Sequence, residues 1–226
     1  MRSDDRDGRY DEGVVIHLPE PASTVAADPD PDSDESGPDD SGLWRELRTG
    51  DEESFRDLLV RHGRAVYNFA FRRTGSWSVA EDVAQSTFTT VWRRAVAGDL
   101  AVLRLPSARP ILFAIARKEA ANQLRSARRQ ARLAARIAAD RDVATADNTD
   151  AWLAAESAMR QINESLQVLP QQQREVIALV RWSGLSLAEA AESLGVPVGT
   201  VKSRLNRAHR RLSGTPLAGL LKGGPE

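Results

Sequence analysis

Apolar residues recur every three or four positions in seven segments of this chain, and nowhere do they hold the strict alternation of a half-buried strand. Phe55, Leu58, Leu59, His62, Val66, Phe69 and Arg73 predict a long helix broken by Gly75. Ala80, Val83, Ala84, Thr87, Phe88, Val91 and Trp92 predict a second. Ser78 and Glu81 before it have the Ser-x-x-Glu spacing of a capping box. The stretch AGDLAVLRLPSARP, residues 97–110, reads as a loop. Pro110 suits the first turn of a third helix, where a missing N–H costs no hydrogen bond. Ile111, Leu112, Ile115, Ala116 and Leu124 supply that helix with its apolar side.

AADRDVATADNTD, residues 138–150, is small, polar and acidic, the composition of a linker. Beyond it Trp152, Ala155, Met159, Ile162, Leu166 and Leu169 mark a helix that stops before Pro170. Pro170 opens another, which carries Val176, Ile177, Leu179, Val180 and Trp182 and ends near Gly184. The expected fold is all-α. Two small helical domains, 43–137 and 152–213, are joined by a flexible linker at 138–151 and followed by a tail at 214–226.

The last two helices carry more specific information. Ser186 and Glu189 form another capping-box pair, and Leu187, Ala190, Ala191 and Leu194 give a short helix one buried face. Gly195 stands where a left-handed residue would end that helix, and Pro197 prevents its continuation. Next comes GTVKSRLNRAHRRL, with Val201, Leu205, Ala208 and Leu212 inward and five cations with no acid elsewhere. Cap, small residue, turn glycine, proline and basic second helix together predict a helix-turn-helix. Its DNA-reading set is Pro197, Gly199, Thr200, Lys202, Ser203, Arg204, Arg207 and Arg210. The N-terminal members suit the major groove, and the arginines suit phosphates or base edges.

Charge sharpens this picture. The formal net charge is −1, yet residues 1–42 hold thirteen acids against three arginines, so the remainder carries an excess of nine cations. The acidic segment is poor in large apolar side chains and is expected to be a disordered extension. The third helix sets Arg117, Lys118, Arg125, Arg128, Arg129, Arg132 and Arg136 against Glu119 alone, a density suited to a polyanion. There is no cysteine, and His17, His62 and His209 are scattered, so neither metal nor cofactor is expected. No Gly-rich phosphate loop or nucleophile arrangement supports an enzyme. The first ten residues, MRSDDRDGRY, lack the apolar segment of a secretory signal, and no apolar run approaches a membrane span; a cytoplasmic protein is expected.

The stretch LPQQQREVIALVRWSGLSLAEAAESLGVPVGTVKSRLNRAHRRL, residues 169–212, resembles the promoter-binding C-terminal domain of bacterial sigma factors. AEDVAQSTFTTVWRR and ILFAIARKEAANQLRS resemble their N-terminal core domain. The two-domain plan resembles the extracytoplasmic-function (ECF) group of the sigma-70 family. The resemblance implies that 43–137 is a region 2 bundle and 152–213 a region 4 helix-turn-helix. It implies that Glu81, Asp82 and Gln85 bind core RNA polymerase. The loop 97–107 with Arg117, Lys118, Asn122, Arg125, Arg128 and Arg129 would meet the minus-10 element of promoter DNA, and the last helix the minus-35 element. An anti-sigma factor is an implied partner. Ile111, Lys118, Asn122 and Ser86 depart from residues common in the family, Trp, Asn, Asp and Glu respectively. The competing reading is a free-standing helix-turn-helix regulator, which would bind duplex DNA alone and leave the basic third helix without a task.

Overall fold

A computed structural model describes residues 39–137, 150–213 and 215. Every regular element among them is helical. The first bundle comprises α1 (Ser41–Leu47), α2 (Glu52–Thr74), α3 (Trp77–Val96) and α4 (Arg109–Ile137). The second comprises α5 (Asp150–Ser165), which tightens into a 3-10 turn at Leu166–Val168, then α6 (Gln171–Val180), α7 (Leu187–Leu194) and α8 (Val198–Leu212).

Local chemistry sets both ends of α2. The Asp51 carboxylate accepts the Ser54 amide at 2.7 Å and starts α2. Gly75, at φ 66°, ends it in the left-handed conformation. A second reason keeps Gly75 small, since a Cβ there would stand 2.9 Å from Arg160 Cγ of α5. Between these ends α2 buries Phe55, Leu58, Val66 and Phe69 against α3 and α4. Phe69 meets Phe113 edge-on at 5.2 Å between ring centroids, and Phe55 lies 6.5 Å from Phe88 and 5.1 Å from Trp92. In the second bundle Leu169, Ile177, Leu179, Leu185, Val201 and Leu212 are fully or almost fully buried.

Two expectations require correction. The capping box at Ser78 does not form: α3 already begins at Trp77, after Ser76, which makes no side-chain capping bond. The Trp77 amide donates instead to Glu156 Oε1 of α5 at 2.7 Å. A carboxylate at a helix start is a strong acceptor, and this one is brought by tertiary packing from 79 residues away. The acidic extension also ends earlier than expected. Residues 1–38 lie outside the described residues, but Asp40 has none of its surface exposed and α1 starts at Ser41. Three donors converge on the Asp40 carboxylate: the Ala108 amide at 2.7 Å, Arg61 at 2.7 Å and His62 Nε2 at 2.9 Å. Positions 138–149 of the expected linker, and 214 and 216–226 of the tail, also lie outside the described residues.

The two bundles pack on each other, with α5 and α6 against α2 and α7 against α4. Trp77 stacks on Phe71 at 3.4 Å and on Tyr67 at 5.8 Å, while Trp152 of α5 tilts against it at 5.6 Å. Burial, reinforced by the Glu81 and Glu156 carboxylates, pushes the Tyr67 hydroxyl up to about 12, so the ring packs as a neutral group.

The Asp40 cluster gives the fold an acid limb. Burial raises the carboxyl pKa, but hydrogen bonds from His62, the Ala108 amide and Arg61 outweigh burial and hold it below the usual 3.8. The unfolded chain therefore binds this proton more readily. The stabilisation is present above pH 3.8 and is lost as pH falls through the folded-state pKa. Asp40→Asn is expected to lower stability at pH 7 by about 2 kcal/mol, the scale of a charged buried hydrogen-bond set, and to flatten the decline below pH 4. Urea melts across pH 2–7 check both; parallel curves for the two proteins would refute the assignment.

Candidate nucleic-acid interface

The helix-turn-helix forms as its residues require. Ser186 Oγ accepts the Glu189 amide at 3.2 Å while Glu189 Oε2 accepts the Ser186 amide at 2.9 Å, closing the reciprocal box at the start of α7. Gly195 caps the other end at φ 64°, and a Cβ there would meet open space, so backbone conformation alone favours glycine. The Val196 amide reaches back to Ala191 O at 3.1 Å, and Ala191 is buried against the neighbouring helices. Pro197 then occupies the cap position of α8.

Helix α8 buries Val201, Leu205, Ala208 and Leu212. Pro197, Gly199, Lys202, Arg207 and Arg210 are exposed, and Thr200, Ser203 and Arg204 are half-buried at the rim of the same face. Ser203 Oγ donates to Thr200 O at 3.0 Å, which commits its proton and leaves the oxygen as an acceptor. His209 adds no charge near neutral pH, because burial and then the Arg181 charge push its pKa below the usual histidine value. The cationic character of α8 rests on Lys202 and its arginines.

On α4 the expected set divides. Lys118, Asn122, Arg125 and Arg129 recur at i, i+4, i+7 and i+11, which aligns them on one helix face, and Arg128 flanks them; all five are exposed. Arg125 donates to Asn122 Oδ1 within this column. Arg117 stands roughly a quarter turn away and faces the second bundle. Its guanidinium lies 3.5 Å from Glu175 Oε2 of α6, with only 26% and 11% of the two side chains exposed. About two turns earlier Arg109 donates to Ser183 O and lies over the Phe113 ring at 5.9 Å. Arg104 approaches Glu192 of α7 at 3.6 Å.

The periodicity places Arg73 on the inner face of α2 without a task, and nothing in the sequence marks Glu175. Burial depresses the Arg73 guanidinium pKa, Glu175 opposes that shift, and Arg174 and Arg117 add to it. Arg73, Arg117 and Arg174 thus lie close enough to feel one another's charge where the bundles meet, and of the three Arg117 pairs with the Glu175 carboxylate. Glu81, Asp82 and Gln85 are all exposed on α3, opposite buried Val83, Ala84 and Thr87, and Gln85 Nε2 reaches Glu81 Oε1 at 3.5 Å. Among the described residues no group of three or more His, Cys, Asp or Glu could hold a metal, and no helix is long and apolar enough to cross a membrane.

Sequence and fold both match known proteins. The family model described as Sigma-70 region 2 matches residues 58–130, and that described as Sigma-70, region 4 matches residues 159–212. The ECF RNA polymerase sigma factor SigL of Mycobacterium tuberculosis is 35% identical over 159 residues, covering 70% of this chain and 85% of the relative. The ECF RNA polymerase sigma factor SigW of Bacillus subtilis is 27% identical over 183 residues, covering 74% and 91%. The solved structure of CnrH in complex with the cytosolic domain of CnrY superposes with a TM-score of 0.57 at 26% identity, over 78% of this chain and 96% of that one. Sigma factor RpoE, solved in complex with the anti-sigma factor NepR from Bartonella quintana, gives 0.51 at 26% identity, over 75% and 98%. Two regions matched in order, in relatives covered over most of their length, make this chain a member of the ECF group of the sigma-70 family.

Proposed function

We propose that this chain is a dissociable initiation subunit that docks on core RNA polymerase, reads two promoter elements and stabilises the opening of the DNA between them. The supporting observation is the presence of two exposed cationic helical faces on separate bundles. One is the outer side of α8, with Lys202, Arg204, Arg207 and Arg210 and the helix start at Pro197, Gly199, Thr200 and Ser203; it suits the major groove of a minus-35 duplex. The other is the α4 column of Lys118, Asn122, Arg125, Arg128 and Arg129, which together with the loop 97–107 suits an unpaired minus-10 strand and its phosphates. Glu81, Asp82 and Gln85 are the polymerase contact in this reading. No covalent step is needed, and the site of action is the cytoplasm. RpoE of Bartonella quintana was solved with an anti-sigma factor; by extension, a protein partner holds this chain inactive.

Arg117 of the expected minus-10 set is occupied by Glu175, and Arg109 beside it by Ser183, so bringing Arg117 to DNA requires release of these contacts between bundles. The excess of arginine around Glu175 makes this contact easy to tip, since neutralising one carboxylate leaves like charges together. Glu175→Gln is expected to enlarge the radius of gyration of the free chain by small-angle scattering; an unchanged radius would show that the contact does not depend on this ion pair.

Reconstitution is the primary test. Purified chain added to bacterial core RNA polymerase and genomic promoter fragments is expected to give specific transcript starts that require both proteins and are abolished by Arg204→Ala with Arg207→Ala. Tight dimeric binding to duplex DNA without core, and no association with core, would favour a free-standing regulator. If Lys202, Arg204, Arg207 and Arg210 each neutralise one phosphate, their contribution to the log–log salt dependence of minus-35 binding is a slope of about −3.6. Each alanine substitution should reduce that slope by about 0.9, and an unchanged slope would remove the residue from the contact set.

A further inference from the structure

The loop between α3 and α4 has no regular structure, yet its backbone is held at four points from one side. Trp44 Nε1 donates to Ala101 O at 2.7 Å and Arg48 Nε to Leu100 O at 2.9 Å. The Asp40 amide donates to Pro106 O at 2.9 Å, and the Asp40 carboxylate accepts the Ala108 amide at 2.7 Å. All three residues belong to α1 or its flanks, and Asp40 is fastened in turn to Arg61 and His62 of α2. Leu100 is buried as a fifth anchor. Between the anchors Val102 and Arg104 project outward, 64% exposed for the valine and 80% for the arginine side chain.

A buried carboxylate with three donors is costly to assemble unless every lone pair is used, so its placement here is specific. The hydrogen bonds fix the backbone of the loop, and at its tip Arg104 is held only by the exposed pair with Glu192.

We infer that Asp40, Trp44 and Arg48 are positioning residues that preorganise the loop 99–108 to receive an unpaired minus-10 base, an inference that rests on the reading of this loop as a minus-10 contact. A base leaving the stack must find side chains already in place, because freezing a loose loop at the moment of capture would subtract its backbone entropy from binding. The anchors meet that cost during folding. Val102 then offers an apolar surface to the base, and Arg104, once released from Glu192, a cation to its phosphate.

The test uses holoenzyme assembled from the full chain and core RNA polymerase. It measures binding to a single-stranded oligonucleotide of the mapped minus-10 sequence, binding to a minus-35 duplex, and affinity for core. Arg48→Ala and Trp44→Phe are expected to weaken oligonucleotide binding about three- to tenfold, the effect of losing one hydrogen bond, while the other two affinities hold. Asp40→Asn is expected to weaken it further; if that variant does not fold, Arg48→Ala and Trp44→Phe carry the test. A parallel fall in all three affinities would overturn the inference in favour of a general structural role. Weakening by Val102→Ala with Arg104→Ala, but not by the anchor variants, would overturn the inference and leave the minus-10 reading intact. No weakening by either group would sink that reading itself.

Discussion

A helix start presents backbone N–H groups with no partner inside the helix, and where the start is buried something else must accept them. In this chain carboxylates meet that need repeatedly. Asp51 closes α2 and Glu189 takes part in closing α7, each within three residues of its donor. Asp40 reaches the Ala108 amide just before α4 and Glu156 reaches the first amide of α3, across 68 and 79 residues of chain. The long-range pair ties the element order together: α1 cannot leave without exposing the start of α4, nor α5 without exposing the start of α3.

The same division explains what the sequence made legible. Local devices were readable because their geometry depends on spacing alone: the Ser186–Glu189 box, left-handed Gly195, and the inward set Val201, Leu205, Ala208 and Leu212. Ser78 and Glu81 had the same spacing and no box, because a distant carboxylate already occupied the helix start one residue earlier. Asp40 followed a run of acids and carried no periodic signal, so its membership of the core was invisible. Only the position of its donors in space reveals it.

The cations of α4 were legible as a group but not in their division. Helical phase separates Arg117 from Lys118, Asn122, Arg125 and Arg129, yet which face meets solvent depends on where the second bundle rests. A reading confined to one helix treats all its arginines alike. Packing assigns Arg109 and Arg117 to protein contacts and leaves Lys118, Arg125, Arg128 and Arg129 exposed.

The aromatic stack at the bundle boundary has an optical consequence. Trp77 belongs to the first bundle and Trp152 to the second, and their rings tilt at 56° with centroids 5.6 Å apart. Two indoles held that closely in a chiral arrangement couple their transitions. The pair is thus a built-in chromophore of the packed bundles, whose near-ultraviolet circular dichroism and emission colour would report any separation of the two, with no label attached.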